Sequence, residues 1–119
     1  MSKESISNIY LILEKIDYIE TIVEDRGSIT LALEDAITSR AAILMHLTAI
    51  AEQFHKLKLT NQDMLSFFNE EDVKGMYDVR TYIAHEYDGV NLAIVEWIIR
   101  NGLPKFKEQC QEIINTSHK

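Results

Sequence analysis

Apolar residues recur at helical spacing from the beginning of the chain. In the first segment they stand three or four residues apart, at Ile6, Ile9, Leu13, Ile16 and Val23. This alternation is typical of a helix that buries one face in a bundle. We therefore predict a first helix from about Ser5 to Asp25, and Gly27 follows it as a stop signal.

A second apolar pattern is longer and broader. One stripe runs through Ile37, Ala41, Leu44, Thr48, Ala51 and His55, and beside it lie Ile43, Leu47, Ile50 and Phe54. Because both stripes repeat at the helical period, they predict one helix from about Thr30 to Leu57. An apolar face of this width indicates contacts with several neighbours, so we expect this helix at the centre of the fold.

Capping residues mark the next two helices. Thr60 and the acidic residue three positions later predict a short helix through about Phe68. Asn69 is a candidate N-cap for a helix that reaches about Tyr87, because three acidic residues follow it in the first turn. Gly89 is the expected terminator of that helix.

The last part of the chain predicts two further helices. Asn91 is a candidate cap for the first, which is expected to end near Asn101-Gly102. Pro104 suits the first turn of the second, which is expected to reach about Asn115, and Trp97 is expected to pack between the two. Together the elements predict an all-α fold, an antiparallel bundle of four or five helices with short connections.

Length and composition agree with a single domain over residues 1–119. The chain is 46% hydrophobic, with four Gly and one Pro, which is too apolar for disorder and too poor in turn residues for an all-β fold. The lone cysteine, Cys110, has no partner for an intramolecular disulfide and is expected to be a packed thiol. Since no secretory signal or apolar run of about 20 residues is visible, we expect a cytoplasmic protein without a membrane segment.

The formal net charge of −7 limits how the protein binds polyanions. Such a balance argues against a surface that binds nucleic acid by broad neutralisation of its phosphates. It leaves room for a local site, because salt screens charges beyond about 8 Å and a few cations in a cleft outweigh a distant acidic face. Any contact with RNA is therefore expected to be local or shared with a partner.

Arg80 is the residue that the apolar pattern leaves unexplained. On a helical wheel it falls in the middle of an arc formed by Val73, Met76, Val79, Ile83, Ala84 and Tyr87. His85 lies about 140° from it, so one uninterrupted helix does not aim both side chains into a narrow groove. Either the helix opens near Ala84 or the site is a wide cleft, most simply one that a second copy of the chain completes.

Arg80, His85 and Tyr87 together spell Arg-x-x-x-x-His-x-Tyr. In this pattern the chain resembles the HepT-like toxins of the HEPN superfamily, small helical ribonucleases paired with minimal nucleotidyltransferase antitoxins. The stretch from Ser39 to Glu52 is similar to the central helix of that family. The tail is similar as well, in the residues Tyr87-Asp88-Gly89-Val90-Asn91-Leu92, Trp97 and Leu103-Pro104.

The resemblance implies a homodimer with its ribonuclease site at the subunit interface. It implies that Arg80 and His85 are the catalytic pair, that no metal or other cofactor takes part, and that the antitoxin silences the toxin by attaching AMP to Tyr87. The family usually has Asn directly after the arginine, where Thr81 here keeps a hydroxyl but lacks the amide. Glu52 coincides with an acidic position of the family pattern and is a candidate to support the site.

The residue types suit metal-free cleavage of RNA. The reaction needs a group that takes the proton of the 2′-hydroxyl, a group that protonates the leaving 5′-oxygen, and a cation for the charge on phosphorus. An imidazole such as that of His85 exchanges protons near neutral pH. A guanidinium such as that of Arg80 binds phosphate through two parallel hydrogen bonds.

Three interpretations remain open from the sequence. The first is a toxin endoribonuclease of a type II toxin–antitoxin system, acting as a homodimer on RNA such as tRNA or mRNA. The second is a non-catalytic helical adaptor that binds a nucleotidyltransferase, with Arg80 in a structural ion pair, for example with Glu52. The third is a di-metal bundle, because Glu52-Gln-Phe-His55 matches the Glu-x-x-His element of such proteins, although the sequence lacks the second copy they need.

Overall fold

A computed structural model of the chain describes residues 3–86 and 89–117. These residues form an all-α bundle, which confirms the predicted fold class, and no helix among them is long and apolar enough to cross a membrane. Tyr87 lies outside the described residues. The α-helices are α1 (Lys3–Arg26), α2 (Ile29–Glu34), α3 (Ser39–Thr60), α4 (Gln62–Leu65), α5 (Glu70–Glu86), α6 (Leu92–Trp97) and α7 (Leu103–Ser117), and a π-helical segment (Ile98–Gly102) joins the last two.

The helix α3 lies at the centre, as its broad apolar face predicts, and α1 and α5 pack on it. Both neighbours run antiparallel to it, since the start of α1 meets the end of α3 through Asn61 and Ser5. The Phe54 ring at the centre is fully buried and contacts the rings of Phe68 and Phe106, with centroids 4.9 and 5.0 Å away. Cys110 is buried in the same core as predicted, and burial raises the pKa of its thiol to about 12.

Two helix ends follow the local signals in the sequence. Gly27 ends α1 with a φ of 100°, in the region that favours glycine, and its N–H donates to the Val23 carbonyl over 3.0 Å. Asn69 caps α5 by accepting the N–H groups of Glu71 and Asp72 at 2.9 and 3.2 Å. Gly89, the expected terminator of α5, follows two residues that lie outside the described part of the chain, and the described part of α5 ends at Glu86.

The predicted helix from Thr30 to Leu57 is wrong, because the chain turns between α2 and α3. Asp35 sits at that turn, where its carboxylate accepts the N–H groups of Ile37 and Thr38 and the Thr38 hydroxyl. Arg26, at the end of α1, reaches the same carboxylate over 3.0 Å. These bonds replace helical hydrogen bonds with local ones, and Ile37, expected on the apolar stripe, is 88% exposed as a result.

The short helix after Thr60 also begins elsewhere than predicted. Thr60 is the last residue of α3, and its hydroxyl donates back to the Lys56 carbonyl over 2.7 Å. The cap of α4 is Asn61, whose side chain accepts the Met64 N–H at 3.2 Å. Because both Thr and Asn are good capping residues, only the observed backbone distinguishes them, and α4 ends at Leu65 rather than near Phe68.

The predicted break at Asn101-Gly102 is replaced by a continuous helical path. Asn91 caps α6 as expected, accepting the Ala93 N–H at 2.9 Å. The helix then widens through the π-helical segment, in which the Leu103 N–H donates to the Ile98 carbonyl, and continues into α7 up to Ser117. The wider turn accommodates Pro104, which has no N–H to donate. Trp97, expected to pack between two helices, is instead 63% exposed.

The turn at Asp35 has a definite dependence on pH. The Thr38 hydroxyl and N–H, the Ile37 N–H and the Arg26 guanidinium lower the pKa of Asp35 to about 2, from 3.8. Because the folded state holds the charged form, this contribution to stability is complete above pH about 4 and disappears as the pH falls towards 2. We expect Asp35→Ala to lower the melting temperature by a few degrees at pH 7 and to have a much smaller effect at pH 2, where half of the folded-state carboxyls are already protonated. Thermal denaturation followed by circular dichroism measures both.

The control for that experiment is Asp25→Ala, which removes an exposed carboxylate from the last turn of α1. It is expected to leave the melting temperature unchanged at pH 7. A loss of stability in Asp35→Ala that persists undiminished at pH 2 would contradict the assignment of the effect to the carboxylate.

Candidate functional site

The antiparallel pair α3 and α5 encloses an open cleft of about 570 Å³ on the surface of the bundle. Its floor is apolar and its rim carries charged and hydroxyl side chains. The residues from α3 are Leu44, Met45, Thr48 and Glu52, and those from α5 are Arg80, Thr81, Ile83, Ala84 and His85. Four residues singled out in the sequence, Glu52, Arg80, Thr81 and His85, therefore lie in one cleft.

Arg80 lies at the rim of the cleft rather than pointing into the core. The buried face of α5 consists of Val73, Met76, Val79 and Ile83, whereas the Arg80 side chain is 46% exposed. Its Nε lies 3.7 Å from Oε1 of Glu52, whose side chain is 48% exposed. The buried part of the apolar arc is narrower than the helical wheel indicates, since Ala84 is exposed as well, and Arg80 lies at its edge, where it lines the cleft.

The ion pair between Arg80 and Glu52 is loose. At 3.7 Å it is longer than a hydrogen bond, and both side chains remain in contact with water. The structural interpretation of Arg80 thus finds its partner in Glu52, but an exposed pair of this kind contributes little to stability. A guanidinium held so weakly keeps donors free for another anion.

His85 is exposed in the last turn of α5 and lines the same cleft as Arg80. The helix continues without interruption to Glu86, so it does not open near Ala84. Of the two alternatives, a helix that opens near Ala84 and a wide cleft, the structure shows the wide cleft. Thr81 lies on the same rim, where its hydroxyl donates to the Tyr77 carbonyl over 3.4 Å.

The second half of the Glu52-x-x-His55 element does not enter the cleft. His55 is exposed on α3 one turn beyond Glu52, and its ring meets the ring of Tyr77 edge to face at a centroid distance of 6.0 Å. Within residues 3–86 and 89–117, no group of three or more His, Cys, Asp or Glu side chains is placed to hold a metal ion. The di-metal interpretation thus finds no ligand cluster in that part of the chain.

Sequence reasoning missed two residues of α3 that line the cleft, Met45 and Thr48. Met45 is 67% exposed although it is large and apolar, and Thr48 lies one turn further on. The Thr48 hydroxyl donates to the Leu44 carbonyl over 2.9 Å, which leaves its oxygen directed along the helix surface. The signal was the helical spacing of Met45, Thr48 and Glu52, which places all three on one face.

A comparison with family models connects this geometry to known proteins. A model described as Ribonuclease HepT-like matches residues 12–113, which include every residue of the cleft. The chain belongs to the HepT-like ribonuclease family. The resemblance seen in the Arg-x-x-x-x-His-x-Tyr pattern is thereby confirmed at the family level. Comparisons with curated proteins and with solved structures give no match.

The cleft of this HepT-like chain combines groups of complementary chemistry. Arg80 supplies a permanent positive charge with planar donors, and His85 supplies an imidazole open to solvent. The apolar floor from Leu44 and Ile83 supports the rim without competing for polar ligands. Such a cleft is suited to bind a phosphodiester at its rim.

The loose ion pair predicts that the site residues contribute little to folding. We expect Glu52→Gln and Arg80→Ala each to change the free energy of unfolding by less than about 1 kcal/mol, because exposed ion pairs contribute about 0.2–1 kcal/mol. A double-mutant cycle in urea measures the coupling between the two side chains. A coupling of several kcal/mol would instead show that the pair is structural.

Proposed function

We propose that this HepT-like chain is the toxin of a type II toxin–antitoxin system and cleaves RNA without a metal ion. Arg80 and His85 are the catalytic residues, and Thr81 and Glu52 support them at the rim of the cleft. The toxin acts as a homodimer in the cytoplasm, and a cognate nucleotidyltransferase antitoxin silences it by attaching AMP to Tyr87.

One observation carries the proposal: Arg80 and His85, which the sequence singles out, line a single open cleft in a chain of a ribonuclease family. Neither residue is needed to fill the core, since both are exposed. Exposed residues that converge on a cleft are better explained by ligand binding than by packing. Membership of the family identifies RNA as the ligand to test.

The proposed reaction is an attack within the RNA itself. The 2′-oxygen of a ribose forms a bond to the adjacent phosphorus, the bond from phosphorus to the 5′-oxygen breaks, and the products are a 2′,3′-cyclic phosphate and a 5′-hydroxyl. An imidazole takes the proton of the 2′-hydroxyl, and a protonated group delivers one to the leaving oxygen. The Arg80 guanidinium stabilises the charge that develops on the phosphoryl oxygens.

A homodimer supplies the two proton-transfer groups that this chemistry needs. A two-fold axis beside the cleft brings the same residues of both subunits together. One His85 then acts as the base and its symmetry mate acts as the acid, while two Arg80 side chains face the phosphate. The second guanidinium also offsets the negative end of the α5 dipole, which would otherwise repel the anion.

Substitution of either catalytic residue tests the assignment. We expect Arg80→Ala and His85→Ala each to reduce RNA cleavage at least about 100-fold, since loss of a charge-stabilising group or of a proton-transfer group costs that much. Cleavage is measured on labelled total RNA, in parallel with and without a metal chelator. Far-ultraviolet circular dichroism is expected to show unchanged helicity in both variants.

The matched controls are Arg100→Ala and His46→Ala, which remove the same side-chain types from positions outside the cleft. Both are expected to cleave like the wild type. Full activity in His85→Ala would defeat the catalytic assignment, and loss of all cleavage on chelation would defeat metal independence. A wild-type protein that binds the nucleotidyltransferase but cleaves no RNA would favour the adaptor interpretation.

Intact-mass spectrometry tests whether the antitoxin attaches AMP to Tyr87. An adenylyl group adds a phosphodiester anion and a large volume two residues beyond His85 in sequence, which is expected to block RNA by charge and size. Incubation with the antitoxin and ATP should add one AMP to the wild-type chain and none to Tyr87→Phe, as read by intact-mass spectrometry. Tyr18→Phe, which alters another exposed tyrosine, should be modified like the wild type, and an adduct that maps away from Tyr87 would refute the proposal.

A further inference from the structure

A second hollow, of about 700 Å³, lies beside α3, α4 and α5 and has no role in the proposed reaction. Lys58 of α3 and Lys74 and Tyr77 of α5 line it, and Phe68 contributes to its apolar floor. Glu70 is the one carboxylate among its lining residues. The hollow therefore combines two cations, an aromatic ring and an apolar base.

This hollow continues the cleft along the same pair of helices. Tyr77 lies one turn before Arg80 on α5, and His55 lies one turn after Glu52 on α3. The rings of Tyr77 and His55 meet between the two hollows with their centroids 6.0 Å apart. On α5, Tyr77 and Lys74 fall within about 120° of Arg80, in the same sector as His85, so one face of the helix borders both hollows.

The two lysines that line this hollow are not held in ion pairs within the described part of the chain. Lys58 and Lys74 form no ion pair with any described residue, whereas Lys105 and Lys107 are paired with carboxylates. Since Glu70 is the one carboxylate that lines the hollow beside Lys58 and Lys74, the lining carries a net positive charge in a chain whose net charge is −7. A local region of this kind attracts a polyanion within the screening distance.

Tyr77 is held in a fixed orientation at the centre of this region. Its hydroxyl donates to the Phe54 carbonyl over 3.1 Å, and partial burial raises its pKa, which keeps the donor protonated at neutral pH. The Lys58 ammonium lies 5.3 Å from the centroid of its ring. A ring that is fixed at its hydroxyl loses little conformational freedom when a nucleobase stacks on it, and the Lys58 ammonium beside it is placed to contact the phosphate of the same nucleotide.

From these contacts we infer that the hollow beside Lys58, Lys74 and Tyr77 binds the single-stranded RNA that flanks the scissile phosphate. A base stacks on Tyr77, and the ammonium groups of Lys58 and Lys74 contact successive phosphates. From His85 to Lys74 the axis of α5 spans about 16 Å, a length that several nucleotides of a single strand cover. The inference rests on the proposed function, because it takes RNA in the cleft as its starting point.

Binding to RNA of two lengths tests the inference. In a His85→Ala background, which prevents cleavage, the affinity for an unstructured RNA of about 12 nucleotides is measured by fluorescence anisotropy over a range of salt. We expect Lys58→Ala/Lys74→Ala to weaken binding at least about tenfold and to reduce the salt slope by about 1.4, since each phosphate contact on a single strand contributes about 0.7. A trinucleotide, which fits within the cleft, is expected to bind both proteins equally.

The aromatic contact has its own pair of variants. Tyr77→Leu keeps an apolar side chain but removes the stacking surface, and it is expected to weaken binding of the longer RNA at least about fivefold. Tyr77→Phe keeps the ring and is expected to retain the affinity. Melting temperatures of both variants identify any loss that comes from the missing bond to Phe54 rather than from stacking.

Lys15→Ala/Lys107→Ala is the charge control, because it removes two lysines from α1 and α7, outside both hollows. The inference is overturned if this control weakens binding as much as Lys58→Ala/Lys74→Ala, or if the latter weakens the trinucleotide and the longer RNA equally. Wild-type protein that cleaves RNA with the same KM as Lys58→Ala/Lys74→Ala would also overturn it while leaving the proposed nuclease intact. Lysine-dependent binding without any cleavage by the wild type would instead refute the nuclease and leave the binding groove.

Discussion

The antiparallel packing of α3 against α5 is the interaction on which the site depends. Val79 and Ile83 of α5 are buried in the hydrophobic core around α3, and this burial fixes the rotation of α5 about its axis. Once that rotation is fixed, Arg80 and Thr81 emerge on the rim of the cleft. Arg80 directly follows the buried Val79 along the helix, and Thr81 follows Arg80. The apolar contacts of one face therefore position the polar groups of the other, without any polar contact having to be strong.

Because the apolar core positions the site, the polar groups of the site need only weak bonds to one another. The ion pair of Arg80 with Glu52 is exposed and longer than a hydrogen bond, and the Thr81 hydroxyl donates to the backbone of its own helix. A site whose groups are tightly satisfied by one another has to break those bonds before it binds a ligand. Here the core supplies the order, and the donors of the cleft remain accessible to an anion.

The acidic net charge and a nucleic-acid substrate are compatible for a geometrical reason. Several cations of the chain form ion pairs with carboxylates, such as Arg26 with Asp35 and Lys107 with Glu20. Arg80, in the cleft, is held loosely, and Lys58 and Lys74, in the second hollow, have no carboxylate partner among residues 3–86 and 89–117. Because screening limits each charge to its surroundings, the distribution of cations matters more than their sum.

The sequence by itself determined the helical class, the central place of α3, the ends of the helices at Gly27, Asn69 and Asn91, and the pattern that led to the ribonuclease family. These features depend on residues within about one helical turn, whose propensities and side-chain caps act locally. Only the tertiary structure decided the turn at Asp35, where Arg26 from another helix contributes, and the π-helical passage at Pro104. It also decided that Arg80 faces Glu52 across a cleft and that Met45 and Thr48 line this cleft. The cleft depends on contacts between residues far apart in the chain, and a local pattern carries no information about which distant side chain will lie opposite. The turn at Asp35 and the π-helical segment use bonds within about five residues, which compete locally with the helical spacing of the same stretch.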